Sequence, residues 1–247
     1  MLREYSTKEL KLWYNEARDN WIKIKKFVEK YKDDEGYVNN LEKITTPENE
    51  EGYIFDVGDI SIILTLYPKF ETVHSCFGWN DNGSIKSIAL IIPTVIQQNE
   101  DEYKGGKNIL QMFYEQYDKH LTQSVFIHEL VHLVQVRRHY DYQSIQALNY
   151  IAYKHKASYD DKASYFDNEL EAPVYALQLL WDYKHDDKVK EILDRYREKT
   201  SIYELEPLYK EFKVIDHKAL DILWLQAFYH MSPETTLYIL DILNRMI

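Results

Sequence analysis

The sequence predicts an α+β protein in which a small, mostly antiparallel sheet, at about residues 53–93, packs on a helix and has helical additions before and after it. Three observations predict this. Residues 53–93 are rich in β-branched and aromatic residues, in short runs bounded by Gly, Pro, Asn or Asp. The segments before and after them repeat apolar residues at helical spacing. With only 7 glycines and 6 prolines in 247 residues, and 45% hydrophobic residues, the chain has little room for long linkers and enough apolar material for a core.

The elements follow in order. Ser6-Thr7-Lys8-Glu9 has the form of a capping box, in which a hydroxyl and a carboxylate three residues apart satisfy each other's backbone N–H. Leu10, Trp13, Ala17, Trp21, Ile24 and Val28 then recur on one helical face up to Tyr31, and their aromatics are read as packing residues. DDEG and TTPENEEG read as polar, turn-rich connections. YIFDV, DISIILTLY, FETVHSCFGW and SIKSIALIIP read as strands, and Asp81-Asn82-Gly83 marks a hairpin between the last two.

From Asn108 the pattern is helical. Ile109, Met112, Phe113 and Tyr117 form one apolar stripe, and Val125, Phe126, Leu130, Val131 and Val134 form another. A third helix is expected from Asn168 to about Tyr183. Ser232-Pro233-Glu234, a capping serine followed by a proline at the first helical position, opens a last helix. No internal repeat interrupts this order. The expected organisation is a single domain over 1–247, with a helical extension at 1–50, a core at 53–183 and an all-helical appendage at 185–247.

Charge and cysteine content narrow the function classes. A net charge of -11 and a pI near 5.3 oppose binding to a phosphate backbone, so no nucleic-acid partner is expected, although an acidic DNA mimic would share this charge. Cys76 is the sole cysteine, so no internal disulfide can form and a reducing compartment fits best. The first residues are charged throughout, without the apolar stretch of a secretion signal, and no run approaches the length of a membrane span. The expectation is a cytoplasmic protein with no membrane partner, export by a signal-less route remaining open. No G-x-S-x-G elbow is present to support serine hydrolase chemistry.

The informative stretch is FIHELVH, residues 126–132. On a helix, residues four apart lie nearly above one another, so His128 and His132 project from one face. Two imidazoles so placed can reach one tetrahedral zinc at about 2.0–2.1 Å each. Glu129, beside the first histidine, reaches instead a water in the open coordination position and can take its proton as general base. A structural zinc has no use for that glutamate. The competing reading is an amphipathic core helix whose two histidines are satisfied by neighbours.

HELVH resembles the active-site helix of the zincin metallopeptidases, in which a small sheet precedes the HExxH helix and its edge strand binds an extended substrate. The resemblance covers roughly 53–183. It implies Zn2+ as cofactor, a peptide or protein as substrate, and peptide-bond hydrolysis. A catalytic zinc usually has three protein ligands. The metzincin pattern HExxHxxGxxH fails, since Gln135 occupies the glycine position and Arg138 that of the third histidine. The segment NELEAPVYA is similar to the gluzincin third-ligand helix, and its E-x-x-A pattern points to Glu169, followed by Ala172. Glu171 is the other carboxylate there, with a competing role as the distal half of a capping box begun by Asn168. Where some gluzincins carry an acid that orients the first histidine, four residues after the ligand, this chain has Pro173. For the oxyanion, Tyr150, Tyr153, Tyr159, Tyr165, Tyr175 and His230 are all candidates. The expected function is therefore a gluzincin-like zinc metallopeptidase with Glu129 catalytic and His128, His132 and Glu169 on the metal. The alternative is a non-catalytic interaction protein on the same scaffold.

Overall fold

The structure, a computed structural model, describes residues 4–46, 50–67, 73–81, 85–117, 120–139, 170–196 and 232–247. Among them are eight α-helices and one five-stranded, mostly antiparallel open sheet, the α+β class that the sequence predicts. The chain divides into two compact units, residues 17–137 and residues 1–16 with 138–247.

Helix α1 (Thr7–Tyr31) starts where the capping box sets it. Ser6 N donates to Glu9 Oε2 at 2.8 Å and Glu9 N donates to Ser6 Oγ at 3.2 Å, so two backbone donors that the helix leaves over are satisfied reciprocally. Leu10, Trp13, Ala17, Trp21, Ile24 and Val28 are all buried, as the spacing requires. A short helix α2 (Glu35–Asn39) follows, capped by Asp34, whose carboxylate accepts from Tyr37 N. It occupies part of the segment read as a plain connection.

The unit 17–137 holds the sheet, in the order β1-β2-β3-β5-β4. The strands are β1 (Glu42–Thr45), β2 (Glu51–Val57), β3 (Ile60–Leu66), β4 (His74–Trp79) and β5 (Ile85–Val95). The sheet is thus wider than the expected 53–93. Strand β1 carries little apolar pattern and is held by its backbone pairing to β2, which composition does not reveal. Strands β4 and β5 pair antiparallel, as a hairpin would, while Asn82-Gly83 itself lies outside the described residues. Strand β5 also pairs parallel with β3, so the strand that comes last in the chain lies between β3 and β4.

Two residues show how sequence and sheet accommodate each other. The expected last strand ends at Pro93, yet β5 runs on to Val95. Proline lacks a ladder donor. Among the described residues, β4 pairs with β5 only as far as Ile91, and the β3 register shifts immediately after Pro93. Buried Thr65 and Thr94 each donate a hydroxyl to Ile92 O, at 3.3 and 3.2 Å, and satisfy the irregular stretch. Gly52, opposite Thr65, is the second residue: a Cβ there would stand 2.8 Å from the Leu64 carbonyl oxygen. Gly52→Ala is expected to lower stability by about 1–3 kcal/mol, read as a lower urea midpoint; an unchanged midpoint would mean the strands separate freely at this point.

One sheet face, lined by Phe55, Val57, Ile60, Ile62, Leu64, Leu90 and Ile92, is buried. Helix α4 (Ile109–Tyr117) packs on β5 with Ile109, Met112, Phe113 and Tyr117 buried, as the stripe predicts. Gln116 ties it to the Thr94 carbonyl at 2.6 Å. The 3₁₀ turn at Gln97–Asn99 and helix α3 (Glu100–Lys104) connect β5 to α4.

In the other unit, α6 (Glu171–His185) packs against α7 (Asp187–Tyr196) and α8 (Pro233–Met246). Every residue of α6 from Glu171 to Asp182 is buried. Helix α8 begins as its sequence predicts, with Ser232 as cap accepting from Thr235 N and Pro233 in the first turn. Arg245 donates to the Tyr5 carbonyl at 2.8 Å, and Arg138 pairs with Glu16 at 2.6 Å.

Candidate metal centre

FIHELVH lies in α5 (His120–His139). Helix α5 carries four valines and one isoleucine, which have modest helix propensity, so burial rather than propensity holds it helical. Phe126 fixes its position in the unit 17–137. Its ring is stacked on Trp21, with centroids 4.7 Å apart and planes at 19°, and it meets the edge of Phe113 at 5.7 Å. The burial is not amphipathic. Phe126, Ile127, Leu130, Val131, Leu133, Val134, Gln135 and Val136 are buried around the helix, with His128 at 8% exposure. Only Glu129 and His132 are half-buried between His128 and Val136. Of the expected stripe, Phe126, Leu130, Val131 and Val134 are part of this wider buried surface, while Val125 is half-buried.

The helical phase brings the two imidazoles together. Their Nε2 atoms are 3.2 Å apart, with ring centroids at 4.8 Å and planes at 77°. Two nitrogens each about 2.0–2.1 Å from a tetrahedral ion would lie about 3.3–3.4 Å apart, so the observed separation fits a shared metal. The Nδ1 of His132 faces Oε1 of Gln135 at 3.2 Å.

Glu129 is turned elsewhere. Its Oε2 accepts from the backbone N–H of Ser75 at 2.9 Å. Ser75 belongs to β4, which stands at the end of the strand order, so the glutamate meets the edge strand of the sheet. His74 and Cys76, on either side of it, share the opposite strand face by register with Ile91 and Ala89.

Glu171 is the first residue of α6 and is buried, at 8% exposure. A helix N-terminus favours a carboxylate, and a buried carboxylate requires compensating charge or hydrogen bonds. One ligand atom from each of His128, His132 and Glu171 lies within 4.8 Å of the others. This His-His-Glu group, with His128 and Glu171 buried and His132 half-buried, could hold a metal ion: two imidazole nitrogens and a carboxylate oxygen form a donor set for a divalent cation.

Glu169, the expected third ligand, lies outside the described residues, as does Asn168. Leu170 already has helical angles, φ -80° and ψ -48°. Pro173 falls in the first turn, where its missing donor costs little. Of the oxyanion candidates, Tyr175 is buried on α6, and Tyr150, Tyr153, Tyr159, Tyr165 and His230 lie outside the described residues. Two partners of the motif were missed from sequence. Gln135 had a signal, since it follows His132 by three positions on the same helical face. The Ser75 amide had none, because a backbone donor across the sheet edge carries no side-chain signature.

No family model, curated protein or solved structure matches the chain. Among the described residues, no helix is long and apolar enough to cross a membrane.

Proposed function

We propose that the chain is a zinc-dependent peptide hydrolase, with His128, His132 and Glu171 holding the metal and Glu129 as general base. The observation that carries this reading is the hydrogen bond from Ser75 N to Glu129 Oε2. It sets the carboxylate of the HExxH helix against the edge strand of the sheet. A strand edge offers backbone N–H and C=O groups to an extended chain. A peptide laid along β4 would run beside the one acid that the helix carries next to its histidines.

Zinc, when bound, acts as a Lewis acid and brings the pKa of a water close to neutrality. The chain's residues do the rest. Glu129 keeps Oε2 on the strand and receives the proton on its other oxygen as the water oxygen bonds to the scissile carbonyl carbon. It then returns that proton to the departing amine nitrogen as the C–N bond breaks. The buried aliphatic surround of α5 strengthens these charge interactions by excluding water.

The metal assignment is tested by zinc content and chelator competition on His128→Ala, Glu171→Ala and Glu169→Ala. The first two are expected to weaken zinc binding by more than about 100-fold, beyond what loss of an outer partner costs. Glu169→Ala is expected to bind as the unchanged protein does. The reverse result for the two glutamates would return the third position to Glu169. Zinc binding that survives His128→Ala would remove the metal reading. Zinc binding with no cleavage of any member of a broad peptide library would favour an interaction protein instead.

A further inference from the structure

We infer that Gln135 is a positioning residue for the metal: its side-chain carbonyl holds His132 in the tautomer whose Nε2 lone pair faces His128. This inference rests on the reading of the site just given. The geometry carries it. His132 Nδ1 stands 3.2 Å from Gln135 Oε1, while His132 Nε2 stands 3.2 Å from His128 Nε2. An amide oxygen only accepts, so the ring nitrogen facing it carries the hydrogen. The other ring nitrogen is then bare and directed at the neighbouring imidazole. Metal-binding histidines are generally oriented this way, by a partner on the nitrogen that does not bind.

Three features make Gln135 suited to the task. It is fully buried, at 0% exposure, so its own amide is shielded from bulk water. It lies on the same helix as His132, three residues on, so α5 itself fixes their separation. It is neutral. A carboxylate in this place would draw the Nδ1 proton toward itself and make the imidazole a stronger donor. A neutral amide orients the ring without adding negative charge, which leaves the bound metal more electron-poor. The second histidine is thus oriented from within its own helix.

The test needs no activity. Nitrogen NMR of metal-free protein labelled at histidine reports the tautomer of His132, and chelator competition reports zinc affinity. In the unchanged protein, His132 should carry its hydrogen on Nδ1. In Gln135→Met, nearly equal in size but unable to accept, that tautomer should lose its dominance and zinc affinity should fall about 10–100-fold. Gln135→Glu should keep the tautomer and bind zinc at least as tightly as the unchanged protein. An Nε2–H tautomer in the unchanged protein would overturn the inference, as would a Gln135→Met protein with the same tautomer and affinity within about twofold. The two readings fail separately. If the expected tautomers appear and zinc does not bind, Gln135 orients His132 and the metal reading alone is lost.

Discussion

Glu129→Gln should retain zinc and lose at least about a hundredfold in peptide hydrolysis, the lower end of what a positioned base supplies. The amide is nearly isosteric with the carboxylate, and it leaves His128, His132 and Glu171 untouched. Its carbonyl oxygen can still accept from Ser75 N, so β4 keeps its anchor. What disappears is basicity: an amide does not take a proton near neutral pH. Metal analysis and a peptide-cleavage assay on the same preparations separate these effects. A variant that keeps both zinc and full activity removes Glu129 from the base role. One that loses zinc as well shows that the carboxylate supports the metal rather than the proton transfer.

Phe126→Ala should lower the free energy of unfolding by about 3–5 kcal/mol, the range for deleting a buried aromatic side chain. Phe126 is fully buried, and its ring contributes both a stack on Trp21 and an edge contact with Phe113. Neighbouring side chains on α1, α4 and α5 cannot all move into the void without breaking their own contacts. Urea unfolding in the presence of a chelator reads the effect without a contribution from bound metal. A loss below about 1 kcal/mol would show that the aromatic cluster repacks, and that something else holds the start of the HExxH stretch.

Much of this was legible locally. Ser6 and Glu9 announce a helix start because both partners lie within one turn. Leu10 through Val28 announce a buried face because helical period and burial coincide there. His128 and His132 come together because one helix dictates their phase. Features that depend on distant segments were not legible. Strand β1 has no apolar pattern of its own, and the parallel pairing of β3 with β5 is a choice among partners that no run of residues encodes. The same holds for Glu171. Its sequence neighbours equally suit a capping carboxylate, and only its approach to the two histidines distinguishes it. Glu129 falls between the two cases, since the motif names it but says nothing of the Ser75 amide that it holds.

The insertion of β5 between β3 and β4 sets an order of assembly. Strands β1, β2 and β3 are successive antiparallel neighbours and can zip together as soon as they leave the ribosome. Strand β4 then emerges with no mate. Its pairing surface and the open flank of β3 stay unprotected until β5, the longest of the described strands, is synthesised and slots between them. Only then is β4 held at the rim, ready for Glu129, which emerges later still, to grip Ser75. The nascent chain therefore passes through an interval in which two sticky strand flanks await a single segment, and a pause in translation before Val95 would prolong that exposure.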